Sequence, residues 1–181
     1  MPERRNPKGR RPMNDTLLSY TLTDASLDDL PAIVAIYNTT IPGRMVTADL
    51  EPISTDARIQ WFHEHSAERR PLWVLKDGDH IVAWLSFQSF HPRAAYDGTA
   101  EISIYLSEAL RGQGIGGLLL RKAMEACPAI GVHTLVGLVF GHNEPSLRLF
   151  EKHGFGQWGR LPDVAILDGI SRDLVYVGRK V

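Results

Sequence analysis

The chain has 181 residues, enough for one domain with a full hydrophobic core. Its hydrophobic share of 44% and charged share of 23% are ordinary for a globular protein, and a formal net charge of −1 gives no global positive field that would recruit nucleic acid. No apolar run approaches the length of a membrane span. The single cysteine, Cys127, excludes an internal disulfide and suits a reducing compartment. We therefore expect a cytoplasmic protein with no nucleic-acid or membrane partner.

Residues 1–14 are basic and carry no apolar periodicity, so we expect a disordered tail followed by one domain over 15–181. Alternation over residues 18–22 predicts a first strand, and Ser26 is placed to begin a helix. Residues 39–52 form a long irregular connection, and long ordered connections are often functional. A second helix follows Ser54, and residues 72–87 are typical of a β-hairpin.

The stretch from Thr99 to Cys127 carries the strongest chemical signal. Residues 99–106 alternate as a strand, a glycine-rich loop follows over Arg111–Gly117, and an apolar helical run begins at once. The first N–H groups of a helix have no intrahelical partner, and glycines let an anion approach them. Arg111 adds a positive charge, so we expect a pyrophosphate to bind here. On the apolar face of this helix, Cys127 is expected to be a buried structural thiol rather than a nucleophile.

Three kinds of glycine loop bind pyrophosphates, and two of them fit poorly. A P-loop requires a lysine directly after its last glycine, which is absent. Gly112–Gly117 contains the spacing of the dinucleotide fingerprint, but the preceding strand is amphipathic and no acidic residue ends a next strand at the right distance. The third form reads Arg111-x-x-Gly114-x-Gly116.

That third form resembles the coenzyme A loop of the GCN5-related N-acetyltransferase (GNAT) superfamily. Asn143–Phe155 resembles the second cofactor motif of the same family, with an asparagine, a Leu-aromatic helix and a final Gly-Phe. The resemblance implies an α/β GNAT fold, a mixed and mostly antiparallel splayed sheet with helices on both faces. The expected element order is βααβββαβαββ. For its last two strands we expect residues 156–159 and 174–177, with Pro162, Asp163, Asp168 and Gly169 in the loop between them.

Just before the cofactor loop, Arg93, Tyr96, Thr99, Glu101 and Tyr105 resemble the motif of the phosphinothricin and methionine sulfoximine acetyltransferase branch. The resemblance implies acetyl transfer from acetyl-CoA to the amine of a small amino-acid-like substrate, in a ternary complex and without a metal. His63 and His65 are two residues apart, so on a helix they would not form a metal pair.

The resemblance also implies individual roles. Glu101 is the expected general base, the alternative being a strand glutamate in a salt bridge, and Tyr105 is the second catalytic candidate. Substrate contacts are expected from Arg93, Ala95, Tyr96 and Glu101, and Arg44, Met45 and Val46 are candidates for a wall of that site. Asn143 either bonds the pantetheine or supports the loop. The expected cofactor-binding set is Ile104, Tyr105, Leu106, Arg111, Gly112, Gln113, Gly114, Ile115, Gly116, Gly117, Asn143 and Ser146.

Phe150 departs from the family pattern. Many members have a tyrosine there, and the phosphinothricin branch a histidine, whereas phenylalanine cannot protonate a leaving thiolate. Either another group, such as Tyr105 or water, gives the proton, or the thiolate leaves unassisted. Trp158 and residues 168–173 also differ from the branch, in which the C-terminal region and a second subunit complete the pocket, so the resemblance implies a homodimer.

Two other functions stay open at this stage. One is acetylation of a protein lysine or N-terminal amine, and the other is a coenzyme A-binding module without catalysis. Arg93 as a carboxylate anchor favours a free amino acid, because a peptide has no carboxylate beside its amine.

Overall fold

The computed structural model describes residues 20–181, so the predicted basic tail and the first residues of the predicted domain lie outside the described part. One seven-stranded sheet has the order β1-β2-β3-β4-β5-β7-β6. The strands are β1 Tyr20–Asp24, β2 Leu72–Asp77, β3 His80–Ser89, β4 Thr99–Leu106, β5 Thr134–Phe140, β6 Gly156–Leu167 and β7 Ile170–Lys180. The α-helices are α1 Leu30–Asn38, α2 Ile59–His63, α3 Ile115–Ala126 and α4 Glu144–Lys152. This order confirms the predicted one.

The sheet is antiparallel except between β4 and β5. Those two strands run parallel and pair only at Thr99, Ala100 and Glu101. Beyond Glu101 the backbone of β4 stays bonded to β3 but has no partner on its β5 side. The sheet therefore opens into a cleft between the carboxyl ends of β4 and β5, which confirms the predicted splay.

Helices cover both faces of the sheet, as expected. On one face, α3 and α4 pack with Leu119, Leu120 and Phe150 against the larger core cluster. On the other face, α1 packs with Ile33 and Ile36 against a smaller cluster. Successive residues of a strand point to opposite faces, so Glu101, Ser103 and Tyr105 of β4 lie on the α1 side. Cys127 is buried in the larger core, and burial raises the pKa of its thiol to about 11, so it is a structural thiol as predicted.

The C-terminal hairpin differs from the sequence prediction. β6 and β7 are much longer than expected, and the turn between them is only Asp168-Gly169, both with positive φ. Pro162 and Asp163 lie inside β6, where the register shifts between Leu161 and Ala165. The prediction was wrong because proline and aspartate are typical of loops, yet an edge strand accommodates them at a bulge. Within residues 20–181 no helix is long and apolar enough to cross a membrane.

Candidate active site

Glu101 lies at the last paired position of β4 and β5, where the cleft begins. Its carboxylate has no hydrogen bond or ion pair with any of residues 20–181, so the alternative of a salt-bridged strand glutamate finds no support in the described part of the chain. Burial raises the pKa of this carboxyl above its ordinary value. A carboxylate held in a partly dry site, without a competing partner, has the properties that proton abstraction requires.

Tyr105 lies on the same face of β4 as Glu101 and belongs to a continuous row of aromatic rings. Its ring stacks on Trp84, with 4.3 Å between centroids, and lies 5.2 Å from the ring of Tyr37. Trp61 of α2 continues the row from Trp84, and His65 continues it from Trp61. Burial, together with the nearby Tyr37 hydroxyl, raises the pKa of Tyr105, so its hydroxyl stays protonated but is a weaker acid than an ordinary phenol.

The predicted cofactor loop has the geometry of an anion site. Gly112 and Gly114 adopt positive φ, 72° and 84°, and both are exposed, as are Arg111 and Gln113. Among the described residues, no acceptor is found for the backbone N–H groups of Gly112, Gly114, Ile115, Gly116 and Gly117. These donors surround the N-terminus of a twelve-residue helix, whose dipole favours negative charge. The residues present therefore fit a pyrophosphate.

Gly116 and Gly117 serve a different purpose from the two glycines before them. Both are buried, and a Cβ at Gly116 would lie 3.2 Å from Leu149, while one at Gly117 would lie 2.9 Å from the ring of His153. They allow α3 to pack closely on α4. Of these four glycines, only Gly112 and Gly114 are exposed and have positive φ, so they are the two that leave room for a ligand to approach.

Asn143 is buried, and its side-chain amide is fully engaged. Its Nδ2 donates to the carbonyl oxygen of Met45 at 2.8 Å, and its Oδ1 accepts from the N–H of Ser146 at 3.2 Å. These bonds connect Asn143 to the loop that contains Met45 and cap α4, and a contact with the pantetheine stays a prediction. Ile104 and Leu106 point to the opposite face from Tyr105 and are partly buried against the larger core, so they present backbone to the cleft.

Arg93, Ala95 and Tyr96 are exposed in a single 3₁₀ turn between β3 and β4. Tyr96 contacts the rings of Phe90 and His91, but none of the three predicted substrate residues has a hydrogen bond, ion pair or ring contact with Glu101 or Tyr105. Sequence proximity therefore does not bring them directly onto the catalytic face.

A cavity of about 310 Å³ lies between this turn and the end of β3. Its lining is about equally polar and apolar and consists of Glu64, His65, Arg69, Gln88, Ser89, His91 and Asp97, together with Phe87 and Pro92. Gln88 is directly opposite Glu101 in the antiparallel register, and such partners share a face with about 5 Å between their Cβ atoms. Gln88 thus connects the cavity to the neighbourhood of the candidate base, although neither Glu101 nor Tyr105 is among the lining residues.

Sequence reasoning missed Gln88, Tyr37 and His65. Gln88 becomes meaningful only through its register with Glu101, and Tyr37 only through its contact with Tyr105. Tyr37 lies among the buried residues of α1, and nothing in the apolar periodicity of that helix shows which strand residue it meets. A register derived from the β3 and β4 patterns is the one signal that could have found Gln88.

Phe150 is buried and packs edge-on against Phe155 and over Gly137 of β5, where an added Cβ would lie 2.8 Å from its ring. This position offers no proton donor. Beyond Glu101 on the catalytic face of β4, the hydroxyl groups are those of Ser103 and Tyr105, and Tyr105 is the nearer of the two to the cleft end of that strand.

The acetyltransferase (GNAT) family model matches residues 31–155. YwnH of Bacillus subtilis, provisionally named a phosphinothricin acetyltransferase, is 50% identical over 89% of this chain and 99% of its own length. The L-methionine sulfoximine/L-methionine sulfone acetyltransferase of Pseudomonas paraeruginosa is 29% identical over 88% of this chain and 94% of its own.

Solved structures agree with the sequence comparisons. A phosphinothricin acetyltransferase of the GNAT superfamily from Sinorhizobium meliloti, solved in complex with acetyl-CoA, superimposes with a TM-score of 0.83 at 27% identity, over 90% of this chain and 89% of that one. The matched family model spans the candidate base, the splayed strands and both cofactor motifs. The chain belongs to the acetyltransferase (GNAT) family, and it is an acetyltransferase.

Proposed function

We propose that this protein transfers the acetyl group of acetyl-CoA to the amine of a small amino-acid-like substrate of the phosphinothricin, methionine sulfone or methionine sulfoximine type. The single observation that carries this proposal is the carboxylate of Glu101, which has no hydrogen-bond or ion-pair partner among the described residues and lies at the point where β4 and β5 separate. The names of the relatives support the same substrate class.

The cofactor is expected to be held at its two ends by backbone. The free N–H groups at the start of α3 would bind the pyrophosphate, with Arg111 adding charge and Gln113 held by its bond to the Ala109 carbonyl. The open edge of β4 from Ile104 to Leu106 would bind the pantetheine arm through backbone groups. Acetyl-CoA supplies an activated thioester. The protein therefore has two tasks, which are to position the two substrates and to move protons.

Two side chains are expected to move those protons. Glu101 accepts a proton from the substrate ammonium, directly or through a water, so that a neutral amine attacks the thioester carbon. A carbon–nitrogen bond forms, the attacking nitrogen loses its second proton to water, the carbon–sulfur bond breaks, and Tyr105 donates its hydroxyl proton to the departing sulfur. Glu101 later releases its proton to solvent. Solvent then returns the proton to Tyr105. Backbone N–H groups of β4 would stabilise the developing oxyanion.

A homodimer in the cytoplasm completes the proposal. β6 is the edge strand of the sheet, and it exposes apolar side chains together with the start of β7, namely Leu161, Val164, Ile166 and Ile170. Burial of some of these side chains in a dimer interface would remove apolar surface from water. The buried thiol of Cys127 fits a reducing compartment.

One screen tests the proposed function. Acetyl-CoA is incubated with the protein and a panel containing methionine sulfone, methionine sulfoximine, phosphinothricin, the standard amino acids and short peptides, and free thiol is measured. Thiol release with the small amino-acid analogues supports the proposal. Release with peptides alone would instead show a protein acetyltransferase, and no release with any amine would contradict catalysis.

A further inference from the structure

Arg44 lies in the connection between α1 and α2, residues 39–55, which we call the α1–α2 loop. Its guanidinium binds both oxygens of Asp168 at the tip of the β6–β7 hairpin, at 2.8 and 3.1 Å. The same group donates to the carbonyl oxygens of Ile41 and Leu50, at 3.1 and 2.9 Å. One side chain thus closes the α1–α2 loop on itself and joins it to a hairpin 124 residues away.

Two backbone carbonyl groups at Arg44 and Met45 accept hydrogen bonds from side chains that lie at the start of α4. His142 Nε2 lies 2.8 Å from the carbonyl oxygen of Arg44, and because a carbonyl only accepts, that nitrogen carries the hydrogen. Asn143 donates to the carbonyl of Met45. Asn143 begins the second motif of the cofactor side, so the α1–α2 loop is bonded directly to that side of the cleft.

The further course of the α1–α2 loop reaches the catalytic face. The Tyr37 hydroxyl donates to the Asp49 carboxylate at 2.5 Å and is in hydrogen-bond contact with the hydroxyl of Thr47, which is buried. The ring of Tyr37 in turn packs against Tyr105. A bonded path therefore runs from α4 through the α1–α2 loop to Tyr105.

The backbone of Arg44 has an unusual conformation for an arginine. Its φ is 51°, in the left-handed region, which costs an ordinary residue about 1 kcal/mol. A surface loop free of other constraints would not choose that conformation for arginine. The bonds to Asp168, Ile41, Leu50 and His142 offset this cost.

We propose that Arg44 is a positioning residue, which fixes the α1–α2 loop between the β6–β7 hairpin and the start of α4 so that Tyr37 holds the ring of Tyr105 in place. The inference rests on the proposed function in one respect, namely that Tyr105 and the start of α4 border the reaction cleft. It assigns to Arg44 no contact with the reacting atoms.

The test uses Arg44→Met, which keeps the length and the apolar stem of the side chain but removes every hydrogen bond of the guanidinium. Arg160→Met is the matched control, because Arg160 forms the same kind of ion pair with Asp173 in the same hairpin without touching the α1–α2 loop. We expect kcat with methionine sulfone to fall several-fold in Arg44→Met, because the proposed proton donor is less well held, with KM within about twofold of wild type, and neither constant to change in Arg160→Met. Arg44→Lys, which can still pair with Asp168, should recover part of the loss.

A double-mutant cycle with Tyr37→Phe separates positioning from general destabilisation. If Arg44 acts through Tyr37, the effects of the two substitutions on kcat/KM are not additive, and the double variant is about as impaired as the worse single variant. Additive effects, or equal losses in Arg44→Met and Arg160→Met, would overturn the inference.

Amide hydrogen exchange gives a readout that needs no ligand. We expect residues 39–55 and the first turn of α4 to exchange faster in Arg44→Met than in Arg160→Met, and equal exchange in the two variants would also overturn the inference. A wild-type protein that acetylates no amine would contradict the proposed function and leave this comparison intact.

Discussion

Replacement of Glu101 by glutamine tests whether this carboxylate is the general base. The amide keeps the shape of the side chain but cannot accept the proton of the amine. Loss of general base catalysis lowers kcat by about 10²-fold or more, or about 2.7 kcal/mol of transition-state stabilisation. Because residues 111–117 are untouched, the affinity for acetyl-CoA should stay at the wild-type value. Thiol release measures the first effect and calorimetry the second.

The same substitution, which should lower kcat, is expected to raise the stability of the fold at neutral pH. Burial raises the pKa of Glu101 in the folded protein, so its ionised form is disfavoured there relative to the unfolded chain. The stabilising contribution of this group is fully present below its unfolded pKa and is lost as the pH rises through the folded pKa. At pH 7 the Glu101→Gln variant should therefore unfold at a higher temperature than the wild type.

The pH dependence of catalysis follows from the same pKa. Because the base must be deprotonated, kcat/KM should fall as the pH drops through the raised pKa of Glu101, and the acid limb should therefore lie above the range of an ordinary glutamate. Glu125→Gln, an exposed change on α3 that removes only a surface pair with Lys122, is the matched control. Equal turnover in wild type and Glu101→Gln would refute the role of this carboxylate.

Three further substitutions test separate parts of the structure. Tyr105→Phe removes the hydroxyl but keeps the stack on Trp84, so kcat should fall about tenfold with little change in thermal stability, and unchanged turnover would assign the leaving-group proton to water. Gly114→Ala places a side chain on a residue with a φ of 84°, at a cost of about 1 kcal/mol. The KM for acetyl-CoA, measured at saturating amine, should therefore rise several-fold. An unchanged KM would show that this turn is not part of the cofactor site. Gly178→Ala places a Cβ 2.2 Å from the ring of Trp158, and overpacking of about 1–3 kcal/mol should lower the melting temperature. Adding Trp158→Ala should relieve part of that loss. A melting temperature of Gly178→Ala equal to that of the wild type would contradict the packing.

Local signals were sufficient for much of this fold. The alternation of residues 99–106 and the glycines of 111–117 are properties of neighbouring residues, and the structure has the strand and the helix start where they predict them. The family resemblance supplied the order of the elements and the splay between β4 and β5. Both are confirmed.

Contacts between distant residues could not be predicted in the same way. The pair of Arg44 and Asp168 joins two loops that no periodicity relates, and the register of Gln88 with Glu101 depends on how two strands align. The long β6–β7 hairpin was underestimated because Pro162 indicates a loop when only local propensity is considered, whereas at an edge strand its missing N–H is tolerated. The cofactor loop is thus formed by residues adjacent in sequence, whereas the substrate side is formed by residues that are distant in sequence.

The central claim is that backbone N–H groups at the start of α3 bind the pyrophosphate of acetyl-CoA and so direct the thioester towards Glu101. A ¹⁵N-amide NMR titration with acetyl-CoA observes those groups themselves. The account predicts that the amide signals of Gly112, Gly114, Gly116 and Gly117 shift downfield as hydrogen bonds to phosphate form, together with the signals of Ile104 to Leu106. Saturable binding that leaves the four glycine amides unmoved would contradict it.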